Sequence, residues 1–88
     1  LVNLYPNPFN PTLTIKYNVD IKQDISIQIY NILGQRVAEL LNKKMDVGYH
    51  SIQWDGSNNQ GIMLGSGIYF VRVATKNESY IKKVTLIK

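Results

Sequence analysis

The sequence predicts an all-β fold, an immunoglobulin-like antiparallel β-sandwich of about seven strands. Short segments of alternating apolar and polar residues recur along the 88-residue chain, and turn signals separate them at intervals of about 8–12 residues. No segment shows a helical apolar period or the spacing of a strand–helix–strand unit. At this length we expect a single domain over residues 1–88.

Residues 68–75 give the strongest strand signal, because β-branched and aromatic side chains dominate them. Side chains alternate across a strand, so Tyr69, Val71 and Val73 share one face. We expect that face to lie in the core. The other face includes Arg72 and is expected to be only partly covered.

Three further segments alternate and are predicted as half-buried strands. They are residues 12–19, with Leu13, Ile15, Tyr17 and Val19 on the apolar face, residues 24–32, with Ile25, Ile27 and Ile29, and residues 49–54, with Ile52 and Trp54. Trp54 is the only tryptophan of the chain. A side chain of this size fills the space between two sheets, so we expect Trp54 to be buried.

Residues 36–41 are predicted as a strand, although the composition of residues 36–44 also favours a helix. The stretch lies between Gly34 and Gly48 and is short for an isolated helix. Predicted strands flank it on both sides. A hairpin partner is therefore the favoured interpretation, with a polar turn over residues 42–48.

Residues 79–88 are predicted as the last strand, so the chain is expected to end inside a strand. Val84 and Leu86 are expected to point inward, together with Tyr80. An edge strand at the chain end would offer backbone groups with which a receptor strand could pair. The exposed lysines of this segment either prevent edge-to-edge aggregation or take part in recognition.

All three prolines lie within residues 1–11. Proline fixes φ and restricts the residue before it, so the segment is predicted as a rigid, irregular lead-in. We expect Tyr5 and Phe9 to fill the end of the core, and a stiff linker is the alternative. The sequence begins at Leu1 without a start methionine or a signal-peptide pattern, and we expect it to be cut from a larger protein.

Composition excludes several classes of function. The formal net charge is +4, but the lysines are scattered without a dense basic stripe, so we expect no nucleic-acid partner. No cysteine is present, which excludes disulfides and thiolate metal sites. No apolar run approaches the roughly 18 residues of a membrane span, so membrane insertion is not expected. We expect a monomer.

Residues suited to catalysis are few. His50 is the only histidine, and most of the six acidic residues lie in predicted turns. A single histidine on a strand is usually structural, and the motifs of nucleophilic elbows, phosphate loops and zinc proteases do not occur. We predict no catalytic residue and no cofactor.

One stretch begins like a calcium loop, with oxygen ligands at Asp55, Ser57 and Asn59. The required glycine falls one place late, at Gly61, and Ser66 stands where a bidentate glutamate is needed. Short polar side chains in a turn also satisfy nearby backbone donors by themselves. We therefore favour an ordinary turn over a metal site.

A series of short motifs runs along nearly the whole chain. They are Tyr5-Pro6-Asn7-Pro8-Phe9-Asn10-Pro11 with Thr12 and Ile15, Ile29-Tyr30-Asn31 with Gly34-Gln35 and Val37, Gly48, Trp54-Asp55-Gly56, Gly61, Ser66-Gly67-Ile68-Tyr69-Phe70, and Lys83-Val84 with Leu86 and Lys88. Together they resemble the C-terminal sorting domain of proteins exported by the type IX (Por) secretion system. The pattern is also similar to the related immunoglobulin-like domain of flagellar hook-capping proteins.

The resemblance implies a non-catalytic signal domain at the C-terminus of a larger secreted protein, to which it is covalently linked. Such proteins of Gram-negative bacteria reach the periplasm, and the type IX translocon then carries them across the outer membrane to the cell surface or the medium. A sortase-like peptidase removes the domain and can join the cargo to lipopolysaccharide. The implied recognition residues are Lys83, Val84, Leu86 and Lys88 of the terminal signal and Tyr5, Pro6, Asn7 and Pro8 of the first motif.

Two other functions stay open at this point. An accessory module of an extracellular enzyme would be structural or would bind glycans through exposed Tyr and Trp side chains. Carbohydrate modules expose several aromatic side chains on one face, whereas Trp54 shares a face with Ile52 and is expected to be buried. A structural scaffold like that of hook-capping proteins is the second alternative.

Overall fold

Seven antiparallel strands form two sheets in this computed structural model, which describes residues 2–88. The strands are β1 (Val2–Tyr5), β2 (Leu13–Val19), β3 (Gln23–Tyr30), β4 (Arg36–Met45), β5 (Gly48–Trp54), β6 (Gly67–Ala74) and β7 (Ser79–Leu86). One sheet has the order β1-β2-β5 and the other β4-β3-β6-β7. The predicted all-β sandwich is confirmed. The described residues include no helix with the length and apolarity needed to cross a membrane.

The core lies between the two sheets and is built by the predicted alternation of side chains. Its members from β2, β3 and β6 are Leu13, Ile15, Tyr17, Val19, Ile25, Ile27, Ile29, Tyr69, Val71 and Val73. Trp54 is only 1% exposed, as predicted. Within residues 2–88 no charged or polar residue is fully buried, so the core is held by apolar packing.

Strand β4 confirms the choice of strand over helix but is longer than predicted. It continues through Met45, so the predicted turn over residues 42–48 shrinks to Asp46 and Val47. Because β4 is an edge strand, the polar side chains of its second half stay solvated while its backbone pairs with β3. The ends of the other predicted strands agree within two residues.

The prediction that Tyr80 points into the core is wrong, since its side chain is 44% exposed. Tyr80 pairs with Val73 on β6 and borders an open cleft whose opposite wall includes Val2 and Tyr17. The three-stranded sheet is narrower than its partner and does not close over this end of β7. The strand itself ends at Leu86, two residues before the end of the chain.

The lead-in is more regular than predicted, because residues 2–5 form β1 and pair with β2. Leu1 lies outside the described residues. Phe9 is buried as predicted, but Tyr5 is exposed. Leu4 points inward opposite Ile15, so the next residue along the strand must face solvent.

Candidate functional site

The two segments predicted to carry recognition lie side by side. The Pro-rich segment runs parallel to the end of β7, with Phe9 in register with Leu86. The backbone N–H of Phe9 donates to the carbonyl of Thr85 at 2.9 Å, and its carbonyl accepts from the N–H of Ile87 at 2.9 Å. Segments near opposite ends of the chain therefore form one continuous surface.

The side chain of Asn7 adds two hydrogen bonds to this contact between the Pro-rich segment and the end of β7, which we call the junction. Its Nδ2 donates to the carbonyl of Lys83 at 3.1 Å, and its Oδ1 accepts from the N–H of Thr85 at 3.0 Å. Pro6 and Pro8 have no N–H, so this stretch cannot donate to a strand through its backbone at those positions. An asparagine amide carries a donor and an acceptor. The Asn7 side chain thus takes the place of a neighbouring peptide group.

These contacts correct the expectation that the end of β7 is a free edge. Asn7 and Phe9 bond the backbone groups on the outer side of the strand from Lys83 to Ile87. Only the first half, residues 79–82, lacks a strand partner on that side within the described chain. A receptor strand could extend the sheet there, but not at the chain end while the Pro-rich segment is in place.

Replacing Asn7 with alanine is expected to lower the free energy of unfolding by about 1–2 kcal/mol, since two hydrogen bonds are lost. Urea unfolding measures the change. Asn10→Ala is the matched control, because Asn10 is exposed in the same segment and should change stability by less than about 0.5 kcal/mol. Equal urea midpoints for the two variants would contradict a stabilising role of the Asn7 amide.

The structure divides the predicted recognition residues into two groups. Val84 and Leu86 are buried members of the core and are inaccessible in the folded domain. The other six side chains are exposed, namely Tyr5, Pro6, Asn7, Pro8, Lys83 and Lys88. The buried pair can position a recognition surface, while only the exposed group can touch a partner.

Motifs that are separate in sequence meet in one corner of the core beneath this surface. The Trp54 ring lies 5.4 Å from that of Phe9 and 5.5 Å from that of Tyr69, measured between ring centroids. Gly56 has φ of +83° and packs against Leu86, whose Cδ2 would lie 3.2 Å from an added Cβ. A side chain at this position would be strained and crowded. The corner therefore fixes the end of β7 against the Pro-rich segment.

The candidate calcium ligands are engaged in separate contacts. Asp55 accepts hydrogen bonds from the N–H and the hydroxyl of Ser57, which hold the pKa of its carboxyl below the usual value. Asn59 bonds the backbone of Glu39, accepting from its N–H at 2.8 Å and donating to its carbonyl at 2.9 Å. Residues 2–88 contain no group of three or more His, Cys, Asp or Glu that could hold a metal.

The hydrogen bonds of Asn59 also protect an edge of the larger sheet, which the sequence alone did not predict. Strands β4 and β7 are the two edges of the four-stranded sheet. Each edge strand is hydrogen-bonded by the side-chain amide of an asparagine from another segment. Asn59 bonds β4, and Asn7 bonds β7. Occupied backbone groups cannot pair with another chain, so both edges are partly protected from sheet extension.

His50 makes contacts that connect neighbouring segments of the fold. Its Nε2 lies 2.7 Å from the carbonyl oxygen of Asp46, and its ring stacks on Tyr17 with 5.5 Å between centroids. The contacts tie the start of β5 to the turn before it and to β2. No acidic side chain bonds the imidazole in the described part of the chain.

The exposed aromatic side chains of the three-stranded sheet are far apart. Trp54 is buried and cannot bind a glycan. Tyr5 pairs with Thr14 and Tyr49 with Asn18, on opposite edge strands of the sheet. From strand spacing and rise, these two tyrosines are separated by roughly 16 Å, too far to stack on one sugar ring.

The family model of the secretion system C-terminal sorting domain, Por_Secre_tail, matches residues 3–88. The chain belongs to this family. The family comprises sorting signals and is not a catalytic one, and a sorting domain of this kind marks a protein for export to the cell surface or beyond. The match includes both the Pro-rich segment and β7, so the junction lies within the sorting domain. No curated protein sequence matches the chain.

Solved structures of secretion and flagellar proteins share the immunoglobulin-like fold of this sorting domain. Dimeric latent PorU from Porphyromonas gingivalis is 23% identical, with a TM-score of 0.75 over 98% of this chain and 9% of that chain. PorZ from P. gingivalis, a surface component of the type IX secretion system, is 22% identical, with a TM-score of 0.69 over 99% of this chain and 11% of that chain. FlgD from P. aeruginosa is 20% identical, with a TM-score of 0.59 over 84% of this chain and 58% of that chain. The sorting domain thus spans less than two thirds of each of these proteins.

Proposed function

We propose that residues 1–88 are the non-catalytic C-terminal signal that directs a larger protein through the type IX secretion system. The family match over residues 3–88 carries this proposal. The likeness in fold to PorZ, a component of that system, supports it. In this proposal the cargo precedes β1, crosses into the periplasm by a separate export step, and then passes the outer membrane of a Gram-negative host.

The recognition surface we propose is the junction between the two motifs. Its exposed residues are Tyr5, Pro6, Asn7, Pro8, Lys83 and Lys88. Val84 and Leu86 contribute by fixing the surface on the core. The two lysines give the junction a positive charge, which orients it on an acidic receptor.

We also propose the later steps that the family resemblance implies. A sortase-like peptidase would remove the sorting domain, and the released cargo would be attached at the cell surface. We propose that the domain acts as a monomer, because the side-chain amides of Asn59 and Asn7 partly protect the two edges of the larger sheet, at β4 and β7.

A secretion assay tests the proposed function. Residues 1–88 are fused behind a periplasmically exported fluorescent reporter in a type IX-competent host and compared with a strain that lacks the translocon. We expect reporter at the surface or in the medium only where the translocon is present. Folded reporter retained in the periplasm of both strains would contradict the proposal and favour an accessory-module function.

The same assay tests the lysines of the junction. Lys83→Ala with Lys88→Ala is expected to reduce secretion about fivefold to tenfold, the effect of losing two exposed charge contacts. Lys43→Ala with Lys44→Ala is the matched control, since both lysines are exposed on β4 and the change in charge is the same. Equal secretion of the two double variants would show that the junction lysines are not recognised.

A further inference from the structure

The positive charge of the chain is concentrated in its last hairpin. Residues 67–88, which hold β6 and β7, contain five of the ten lysines and arginines but only one of the six acidic residues. The whole formal net charge of +4 therefore belongs to this hairpin. Both ion pairs of residues 2–88, Lys22–Asp46 and Arg36–Glu39, lie outside it. The hairpin thus carries a net positive charge that no ion pair within residues 2–88 offsets.

Part of this charge borders an apolar surface on the outer face of the four-stranded sheet. Strand register places Phe70 opposite Lys83 and Arg72 opposite Ile81. Side chains alternate, so these four residues and Ile68 face away from the core; we call the five residues the hairpin face. Ile81 is 61% exposed, Ile68 is also exposed, and Phe70 and Arg72 are half-buried.

The chemistry of the hairpin face limits what can cover it. A polyanion such as a nucleic acid would neutralise Arg72 and Lys83 but would leave Ile68 and Ile81 in contact with water. A second copy of this chain would bring two positively charged hairpins together, which like-charge repulsion disfavours. A protein surface that carries both apolar side chains and carboxylates would cover the isoleucines and pair with the cations.

We propose that the hairpin face is a docking surface for an acidic protein surface of the secretion machinery, whose apolar side chains cover Ile68 and Ile81. This inference rests on the proposed function and extends it from the junction to the adjacent sheet face. Lys83 belongs to both surfaces, so one receptor can contact them together. Arg72 is held by strand pairing on both sides and presents a guanidinium suited to a bidentate carboxylate.

Ile81→Asp tests the docking surface, because it removes an exposed apolar side chain and places a negative charge opposite Arg72 and next to Lys83 on the hairpin face. Tyr49→Asp is the matched control, since Tyr49 is 90% exposed on β5, an edge strand of the opposite sheet. In the translocon-dependent secretion assay we expect Ile81→Asp to reduce export about tenfold or more, as for an interface residue that contributes strongly to binding. Tyr49→Asp should stay within about twofold of the unchanged domain.

The outcomes separate this inference from the proposed function. If the unchanged domain is not exported, the proposed function fails and the docking surface fails with it. If the unchanged domain and Ile81→Asp are exported equally, only the docking surface is wrong. Urea unfolding of each purified variant shows whether it folds, and Ile81→Ser, which adds no charge, replaces Ile81→Asp if that variant does not. Export of a folded Ile81→Ser domain at the unchanged level would also overturn the inference.

Two measurements on the purified 88-residue chain address other occupants. Cosedimentation with phosphatidylglycerol vesicles that Ile81→Asp abolishes would assign the face to a lipid surface. Dimers in sedimentation velocity that the same change dissociates would assign it to a second copy. Either result would overturn an acidic protein partner, whereas a monomer that does not bind vesicles supports it.

Discussion

Replacing Trp54 with alanine is expected to lower the free energy of unfolding by about 3–5 kcal/mol. The indole is almost fully buried between Phe9 and Tyr69, and its Nε1 donates to the carbonyl of Ser57 at 2.9 Å. The variant loses aromatic contacts, leaves a cavity and leaves that carbonyl without its donor. Domains of this size are stable by only about 5–15 kcal/mol, so the loss is a large fraction of the total.

Urea unfolding followed by far-UV circular dichroism measures this change, because the variant has no other tryptophan to serve as a fluorescence probe. Trp54→Phe is the control. It keeps an aromatic ring but loses the hydrogen bond to Ser57, and its cost should be smaller than that of alanine. A decrease in the free energy of unfolding below about 1 kcal/mol for Trp54→Ala would show that the core around Trp54 is not tightly packed.

Phe9→Ala is expected to cost a similar amount, about 3–5 kcal/mol. Phe9 is fully buried against Trp54, and its backbone bonds both Thr85 and Ile87. Loss of the ring should therefore loosen the Pro-rich segment from β7 as well as open the core. Urea unfolding followed by Trp54 fluorescence reports both changes, since the ring lies beside the indole.

Pro11→Ala is the control for Phe9→Ala, because Pro11 is exposed in the same segment. If residues 6–11 were only a stiff linker, both variants would unfold at the urea midpoint of the unchanged domain. A midpoint lowered by Phe9→Ala alone would make the segment part of the cooperative fold. In the secretion assay, Phe9→Ala should also reduce export if the junction is recognised.

The interior strands were predictable because a half-buried strand must alternate. In β2, β3 and β6 each core position follows from the period of two, and the burial of Trp54 follows from its size and its face. The edges were not predictable in the same way. In the second half of β4 the run Asn42-Lys43-Lys44 is polar on both faces, so its sequence resembles a turn, and β1 has four residues, too few to show a period.

The junction was beyond the sequence for a different reason. Asn7 and Lys83 are 76 positions apart, and no local pattern shows that the amide of one bonds the carbonyl of the other. One sequence signal points toward it: an asparagine between two prolines is the one side chain there that can replace their missing N–H groups. The concentration of charge in the last hairpin was present in the sequence, but only strand register places Arg72 and Lys83 beside exposed isoleucines.

In the proposed function, the contact of Asn7 and Phe9 with β7 would make the signal a conformational epitope. A peptide that contained only residues 83–88 would lack the prolines, and it would expose Val84 and Leu86, which the folded domain hides. An unfolded or truncated chain with the same terminal residues would likewise present a different surface. A receptor that binds the junction would therefore distinguish folded from unfolded chains. It would select for export only cargo whose sorting domain is folded.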